Sequence, residues 1–395
     1  MVIFALPLMK GLLVTLLIVL LSLQMFGQEV PQLSNNAQIS ILTCGPGDQL
    51  YTAFGHTAFR VQDPIIGLDV VYNYGTFDFN RPNFYLNFTK GKLIYSLSRR
   101  SFERFLFEYE YEKRWVKEQI LNLSTKEVND LFQFFEDNYR PENRDYRYDP
   151  LFNNCSNISG IILDEQLKDT IVFKGDHLKK PSSFRDLVRE YISLNTWGSF
   201  GIELAFGGIT DRTANIRDHL FLPDYAMRQF RNTLKNSKPL VRRERTILNY
   251  PESEYNIMFT LSPLFWFILL LGFVVVVTYL DIKHGSRNRW LDFVLFLLSG
   301  LIGTGILLLW LATDHQVTKL NFNFLWLLPS NAIVAFYVLR RQPNIRWLKK
   351  YIWAAFGGVG FILLIWIVGL QSISPLSLLL MLALMSRYGL LLKRG

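Results

Sequence analysis

The sequence predicts an α+β domain outside a membrane, followed by an all-α transmembrane bundle of five helices. Three observations carry that reading. Composition changes completely near Ile257, from a mixed polar stretch to nearly continuous apolar runs. Within the first stretch, short alternating runs come before longer helical ones, the order expected when strands and helices are segregated. The charges between the apolar runs fall in alternate loops, as a membrane topology requires. The chain therefore divides into residues 1–27, a signal sequence or N-terminal anchor; residues 28–257, an extracytoplasmic domain; and residues 258–395, the membrane domain.

The formal charge of +9 does not mark a nucleic-acid binder. Residues 28–257 carry 29 Lys/Arg against 30 Asp/Glu, and all other residues carry 13 against 3. The excess basic charge therefore belongs to the apolar segments and their flanks, where it reports topology and not affinity for phosphate backbones. Nucleic acid is excluded as the default partner.

At the N-terminus Lys10 precedes an apolar run, Gly11 to Phe26, that breaks at Gly27-Gln28-Glu29. This is the pattern of a secretion signal, cleaved or retained as an anchor. No Cys follows the run, so a lipoprotein signal is not supported. Beyond Ile257, segments 258–280, 290–311, 322–339, 351–370 and 373–392 each approach the ~20 apolar residues needed to cross a bilayer, and the third contains Pro329. The loop 281–289 carries Lys283, Arg287 and Arg289. The loop 340–350 carries Arg340, Arg341, Arg346, Lys349 and Lys350, and the tail carries Lys393 and Arg394, whereas the intervening loops carry only Lys319. Positive-inside placement then puts residues 28–257 and the 312–321 loop outside the inner membrane and the C-terminus in the cytoplasm.

In residues 28–257, Gln38–Thr43, Ala53–Gln62 and Val70–Tyr74 read as strands, the last two joined through Asp63-Pro64-Ile65-Ile66-Gly67. Leu93–Ser98 reads as a further strand, and Phe102–Leu121 as a helix rich in aromatic and charged residues. Ser124-Thr125-Lys126-Glu127 is a capping box before a helix over Val128–Tyr139 that stops at Pro141. Asn154 is positioned to cap a helix running through Ile158–Leu167, with Cys155 in its first turn. Further helices are expected at 183–193 and 223–234.

The chemistry-bearing residues are few, because the chain has two Cys and five His. No HExxH, paired CxxC, GxSxG or GxxxxGK[ST] pattern occurs, so neither a metal nor another cofactor is implied. A thiol at a helix N-terminus meets unpaired N–H groups and the positive end of the helix dipole, which makes Cys155 a candidate nucleophile. Its alternative is a buried inert thiol or a disulfide to Cys44, since the compartment is oxidising. His56, in Phe54-Gly55-His56-Thr57-Ala58-Phe59, is either a core histidine or a general base. Gly55 leaves room beside it, and a Cys nucleophile needs a base. With Gln62 facing Asp69, His56 comes opposite Gly75 and diagonal to Asn73, a candidate partner for the imidazole; a slip of one residue would pass that role to Tyr74 or Thr76. Asn154 and Tyr74 are candidate substrate contacts, as are Asp314 and His315 in the outward loop. His177 and His219 read as surface residues.

A strand-borne His56 preceding Asn154-Cys155 at a helix start resembles the circularly permuted papain-like fold of the lecithin:retinol acyltransferase and NlpC/P60 families. A longer set of motifs resembles the Lnb-type membrane proteins of Bacteroidota. The set comprises Leu42-Thr43-Cys44-Gly45-Pro46-Gly47-Asp48, Phe54-Gly55-His56-Thr57-Ala58, Tyr72-Asn73-Tyr74-Gly75-Thr76-Phe77-Asp78-Phe79, Asn153-Asn154-Cys155, Phe221-Leu222-Pro223-Asp224 and Thr313-Asp314-His315. The second resemblance implies lipoprotein N-acylation, in which an acyl chain passes from a phospholipid donor to the α-amine of a lipoprotein's lipidated N-terminal Cys. The first implies a thioester route with Cys155 as nucleophile, His56 as base and acid, and Asn73 as the third member. The apolar hairpin and the Phe102–Leu121 stretch are then candidates for the acyl groove. The same dyad with water as acceptor would make a membrane-tethered cell-wall peptidase or amidase, or a phospholipase. A non-enzymatic scaffold with a Cys44–Cys155 bridge is the reading from a different class.

Overall fold

The computed structural model describes residues 30–178, 180–251, 258–340 and 345–393. The expected signal segment, and the boundary between domains at 257/258, lie outside the described residues.

Among the described residues, seven strands form one antiparallel sheet in the order β10-β5-β1-β2-β3-β4-β6. These are β1 (Gln38–Cys44), β2 (His56–Asp63), β3 (Leu68–Thr76), β4 (Ile94–Ser101), β5 (Val116–Leu121), β6 (Asp145–Arg147) and β10 (Val241–Leu248). A small second sheet joins β7 (Ile171–Val172), β8 (Leu234–Lys235) and β9 (Lys238–Pro239). The β2–β3 hairpin has the expected register, with Gln62 opposite Asp69.

Helices α1 (Phe84–Thr89), α2 (Phe102–Tyr111), α3 (Thr125–Tyr139) and α4 (Cys155–Leu167) follow the strands in and out of the sheet. They precede α5 (Phe184–Arg189), α6 (Trp197–Ala205) and α7 (Pro223–Asn232). The central strand β1 is buried on both sides. Ile39 and Ile41 pack with Phe132 and Phe135 of α3, Ile162 of α4 and Phe230 of α7. Leu42 and Cys44 pack with Phe105 and Tyr109 of α2. The sheet is thus a slab between two helical layers, not a strand block set beside a helix block.

The expected helix over Phe102–Leu121 is corrected: it ends at Tyr111, and Val116–Leu121 is a strand between β1 and β10. Glu118 is the reason the sequence misleads. Its fully buried carboxylate accepts from Ser40 Oγ at 2.6 Å, Arg60 at 3.1 Å and Arg245 at 2.5 Å. A charged residue inside a sheet breaks the alternation by which strands are recognised, and it is tolerated only because it is paired on all sides. The Ser124/Glu127 capping box forms as expected.

Among the described residues of the C-terminal region, three helices are long and apolar enough to cross a membrane: α8 (Pro263–Lys283), α9 (Arg289–Leu311) and α11 (Arg346–Ile367). The expected span 322–339 is not one helix. It consists of a single turn at Phe322–Leu325 and the short α10 (Asn331–Val338), separated around Pro329, which cannot continue a helix hydrogen-bond ladder. Non-helical backbone at such a depth needs partners from within the protein. They are present: Gln371 accepts from Phe322 N at 2.7 Å, and Asn321 accepts from Asn323 N at 3.1 Å. The last helix, α12 (Ser377–Lys393), is 17 residues long.

The two regions are joined by specific bonds. Asn321 Nδ2 donates to the carbonyls of Leu204 and Ala205 at 2.9 and 3.0 Å. The Trp197 indole donates to Leu261 O at 3.0 Å, and Gly207 N and Gly208 N donate to Val317 O and Leu320 O, both at 2.9 Å. Asp314 N donates to Lys90 O at 2.9 Å. The 312–321 loop is therefore built into the sheet domain and not merely near it.

Candidate active site: a cysteine–histidine–asparagine cluster

Cys155 is the first residue of α4, and Asn154 is its N-cap. Asn154 Oδ1 accepts from Ser156 N at 2.8 Å and Asn157 N at 3.0 Å, while Nδ2 donates to the carbonyls of Pro150 and Phe221, both at 2.8 Å. Asn157 returns the bond by accepting from Asn154 N at 2.7 Å. Every polar atom of the Asn154 side chain is consumed in fixing the helix start. Asn154 therefore positions the helix start that carries Cys155.

His56 opens β2. Gly55 before it takes φ +80°, and a Cβ there would lie 2.6 Å from Cys44 O, so only glycine permits this entry to the strand. His56 Nε2 donates to Asn73 Oδ1 at 2.6 Å, leaving Nδ1 for the sulfur of Cys155, to which the ring is hydrogen-bonded. Asn73 is thus the imidazole partner, as the register predicts, and neither Tyr74 nor Thr76 takes that role. Beyond Asn73 the β3–β4 register shifts before Thr76. Gly75 lies inside this irregularity at φ +98°, where a Cβ would meet Cys155 Cβ at 3.3 Å and His56 Cε1 at 3.5 Å. Gly75 is the opening through which the strand lets thiol and imidazole meet. Gly75→Ala is expected to cost about 1–3 kcal/mol through the left-handed backbone, read as a lowered melting temperature, and to slow alkylation of Cys155 by iodoacetamide.

The electrostatics of the pair are cooperative. Burial opposes charge on Cys155, but the His56 imidazolium, its hydrogen bond and the N–H groups of Thr57 and Cys155 outweigh it and hold the thiol below its ordinary 9.0. Burial likewise opposes charge on His56, yet the Cys155 thiolate and the bond to Asn73 raise the imidazole above its ordinary 6.5. The two shifts favour one species, a thiolate–imidazolium ion pair.

Cys44 contrasts with it. Both cysteines are free thiols, so the disulfide alternative is not realised. Burial among Leu42, Ala58, Phe105 and Tyr109 pushes the Cys44 thiol up to about 12, which makes it a neutral packing residue. Phe105 and Tyr109 of α2 belong to that same buried cluster, while Phe107 and Tyr111 on the same helix face solvent.

The remaining expected residues sit elsewhere. Tyr74 is buried in the core, where its hydroxyl accepts from Asn138 at 2.8 Å. Asp314 pairs with Arg147 and, at 4.0 Å, with Lys92. His315 lies against Gly91 and 6.4 Å from the Phe88 ring. His219 is buried, with Nδ1 at 2.7 Å from Asn215 O, and is not a surface residue. The phenols around the sulfur were not legible in the sequence. They are Tyr95, Tyr146 and Tyr148, each raised first by burial and then by the neighbouring Cys155 charge, Tyr95 to about 12. They stay neutral around the ion pair. Their signal in sequence was only the alternation of Tyr146 and Tyr148 about Arg147.

The family model described as the Lnb N-terminal periplasmic domain matches residues 33–190, and the one described as the Lnb transmembrane domain matches residues 253–394. The chain belongs to the Lnb family. The sheet domain carrying Cys155 is accordingly its periplasmic domain, and the apolar helices are its membrane domain. No curated protein and no solved structure matches the chain.

Proposed function

We propose that this Lnb family member is a lipoprotein N-acyltransferase that works through a thioester on Cys155. The observation that carries the proposal is the Cys155–His56–Asn73 cluster, in a periplasmic domain bonded directly to a membrane domain. An enzyme whose donor and acceptor both carry acyl chains must act at a bilayer surface, and a wall hydrolase would need only a tether. Family membership supports the same choice.

In the first step the Cys155 thiolate attacks an ester carbonyl of a phospholipid. The C–O bond breaks, and the departing alkoxide takes the proton of the His56 imidazolium, giving acyl-Cys155 and a lysophospholipid. In the second step the α-amine of the acceptor's N-terminal lipidated Cys attacks the thioester. Neutral His56 takes the amine proton, and the thiolate leaves, restoring the ion pair. The backbone N–H groups of Cys155 and Thr57, which point at the sulfur, are the natural donors to the tetrahedral oxyanion. Asn73 keeps the imidazole aimed.

The membrane domain is assigned five spans in this reading, with the broken 322–338 segment as the third and α12 as the fifth. The C-terminus is then cytoplasmic. Supporting this, Arg287 and Arg289 of the α8–α9 turn donate to carbonyls at Val338, Leu339 and Arg340, so the basic loops gather at the end of the bundle away from the 312–321 loop. The test is mass spectrometry of the full-length protein in phospholipid nanodiscs, before and after adding a diacylated lipopeptide. The expected result is a hydroxylamine-labile acyl group on Cys155 that disappears as the peptide gains an amide-linked chain. An unmodified Cys155 with cleaved wall peptides in cells would replace this proposal with the peptidase reading.

A further inference from the structure

Aromatic rings in mutual contact run from Phe79 and Tyr85, near the 312–321 loop, through Phe77 and Tyr95 to Tyr146 and Tyr148. At their outer end, helix α1 and the turn before it expose Phe79 (60%), Tyr85 (74%), Leu86 (51%) and Phe88 (55%) to solvent. Apolar side chains grouped this way on one short element mark a surface that meets something apolar. Behind them Phe77 contacts Phe79 at 4.8 Å and Tyr95 at 5.3 Å, and Tyr95 stacks on Tyr148 at 4.0 Å. Tyr95 also meets Tyr146 at 6.5 Å, and Tyr146 and Cys155 pack against the same buried core. The rings therefore lead from an exposed apolar patch to the core against which the nucleophile packs.

What covers the patch follows from its neighbours. Phe88 lies against His315, and Lys90 O accepts from Asp314 N, so α1 stands on the loop that immediately follows α9. Leu308 and Leu311, at that end of α9, are more than half exposed, as lipid-facing residues are. The patch thus continues the apolar girdle of the bundle. Lys90 and Lys92, both exposed, flank it with positive charge suited to a phosphate headgroup. The same loop grips the inner end of the track, because Asp314 pairs with Arg147, the residue between Tyr146 and Tyr148 on β6.

We infer that α1 is a lipid-entry element: its exposed apolar side chains dip into the outer leaflet, and the Phe77–Tyr95–Tyr148 track conducts a phospholipid acyl chain to Cys155. This deepens the acyltransferase reading and rests on it for the chain's destination. It replaces the expected acyl groove along Phe102–Leu121.

The experiment uses the full chain in nanodiscs of phosphatidylethanolamine and phosphatidylglycerol doped with a phospholipid bearing a diazirine in its acyl chain. After illumination, labelled peptides are mapped in the wild type, in Cys155→Ser, and in a triple variant, Tyr85→Ser/Leu86→Ser/Phe88→Ser. The three substituted positions are exposed, so the melting temperature is expected to stay within a degree or two, and it is measured as the control for folding. The expected result is label on Phe88 and on the half-buried Tyr95 and Tyr148, reduced at least fivefold at the latter two in the triple variant. Acyl-Cys155 is expected to accumulate at least tenfold more slowly in that variant. Label confined to Tyr85–Phe88, or absent from residues 77–95 while Cys155 still becomes acylated, would overturn the entry track and leave the thioester intact. Label along the track with no acyl group ever found on Cys155 would keep the lipid site and remove the thioester proposal.

Discussion

Cys155→Ala is expected to abolish acyl transfer, a loss of about 10⁴-fold or more, since removing the nucleophile of a covalent mechanism leaves only binding and oxyanion stabilisation. The fold is expected to survive. Cys155 is half-buried, and the start of α4 is held by Asn154 and Asn157, whose bonds do not involve the thiol. Cys44→Ala, by contrast, is expected to keep activity and lose about 1–2 kcal/mol, the cost of trimming a small buried side chain from the α2 side of the sheet. The pair separates chemistry from packing: one variant is inert and stable, the other active and softened. Lipoprotein N-terminal acylation by mass spectrometry, with melting curves of the purified variants, measures both. Equal loss of activity and stability in the two variants would show that the cysteines act together structurally, and the nucleophile assignment would fall.

The Cys155–His56–Asn73 cluster was legible because its local requirements are written in short motifs. Asn-Cys before an apolar run specifies a capped helix with a thiol in its first turn, and the Asp63–Gly67 turn fixes a register that brings Asn73 to His56. What the sequence concealed depends on tertiary partners. Glu118 hides a central strand because its neutralising arginines, Arg60 and Arg245, are distant in sequence. Strand β6 is three residues long, too short for any periodic signal, yet it places Tyr146 on the core against which Cys155 packs, with Tyr148 just beyond its end. The aromatic residues of 77–88 resemble core composition, and only their exposure and their seat on the 312–321 loop distinguish them. Asp314 lies in the 312–321 loop that the sequence singled out. Its partner Arg147, however, is a residue that no local pattern could name.

In the proposed reaction His56 and Asn73 set the working pH range, and substituting them is expected to move that range in opposite senses. Transfer needs Cys155 ionised and His56 protonated when the donor's alkoxide leaves. As pH falls, the thiolate takes a proton, so the acid limb follows the thiol and lies below 9.0, since His56 depresses it. As pH rises, the imidazolium loses its proton, so the alkaline limb lies above 6.5. Iodoacetamide alkylation reads the first limb alone. In His56→Ala the imidazolium and its hydrogen bond are gone while burial remains, so the alkylation midpoint is expected to rise to 9.0 or above. At neutral pH the thiolate then falls to about a few per cent or less, and acyl transfer drops by about 10²–10⁴-fold. Asn73→Ala removes one hydrogen bond to a charged ring, worth about 1.5–3 kcal/mol, and is expected to slow transfer about 10–100-fold while drawing the alkaline limb down. Asn73→Asp places a negative charge on the same nitrogen and is expected to move the alkaline limb up, leaving the folded protein equally stable at neutral pH. A purely structural Asn73 would lose activity in both variants without moving either limb, so the direction of the shift decides whether Asn73 acts through the imidazole.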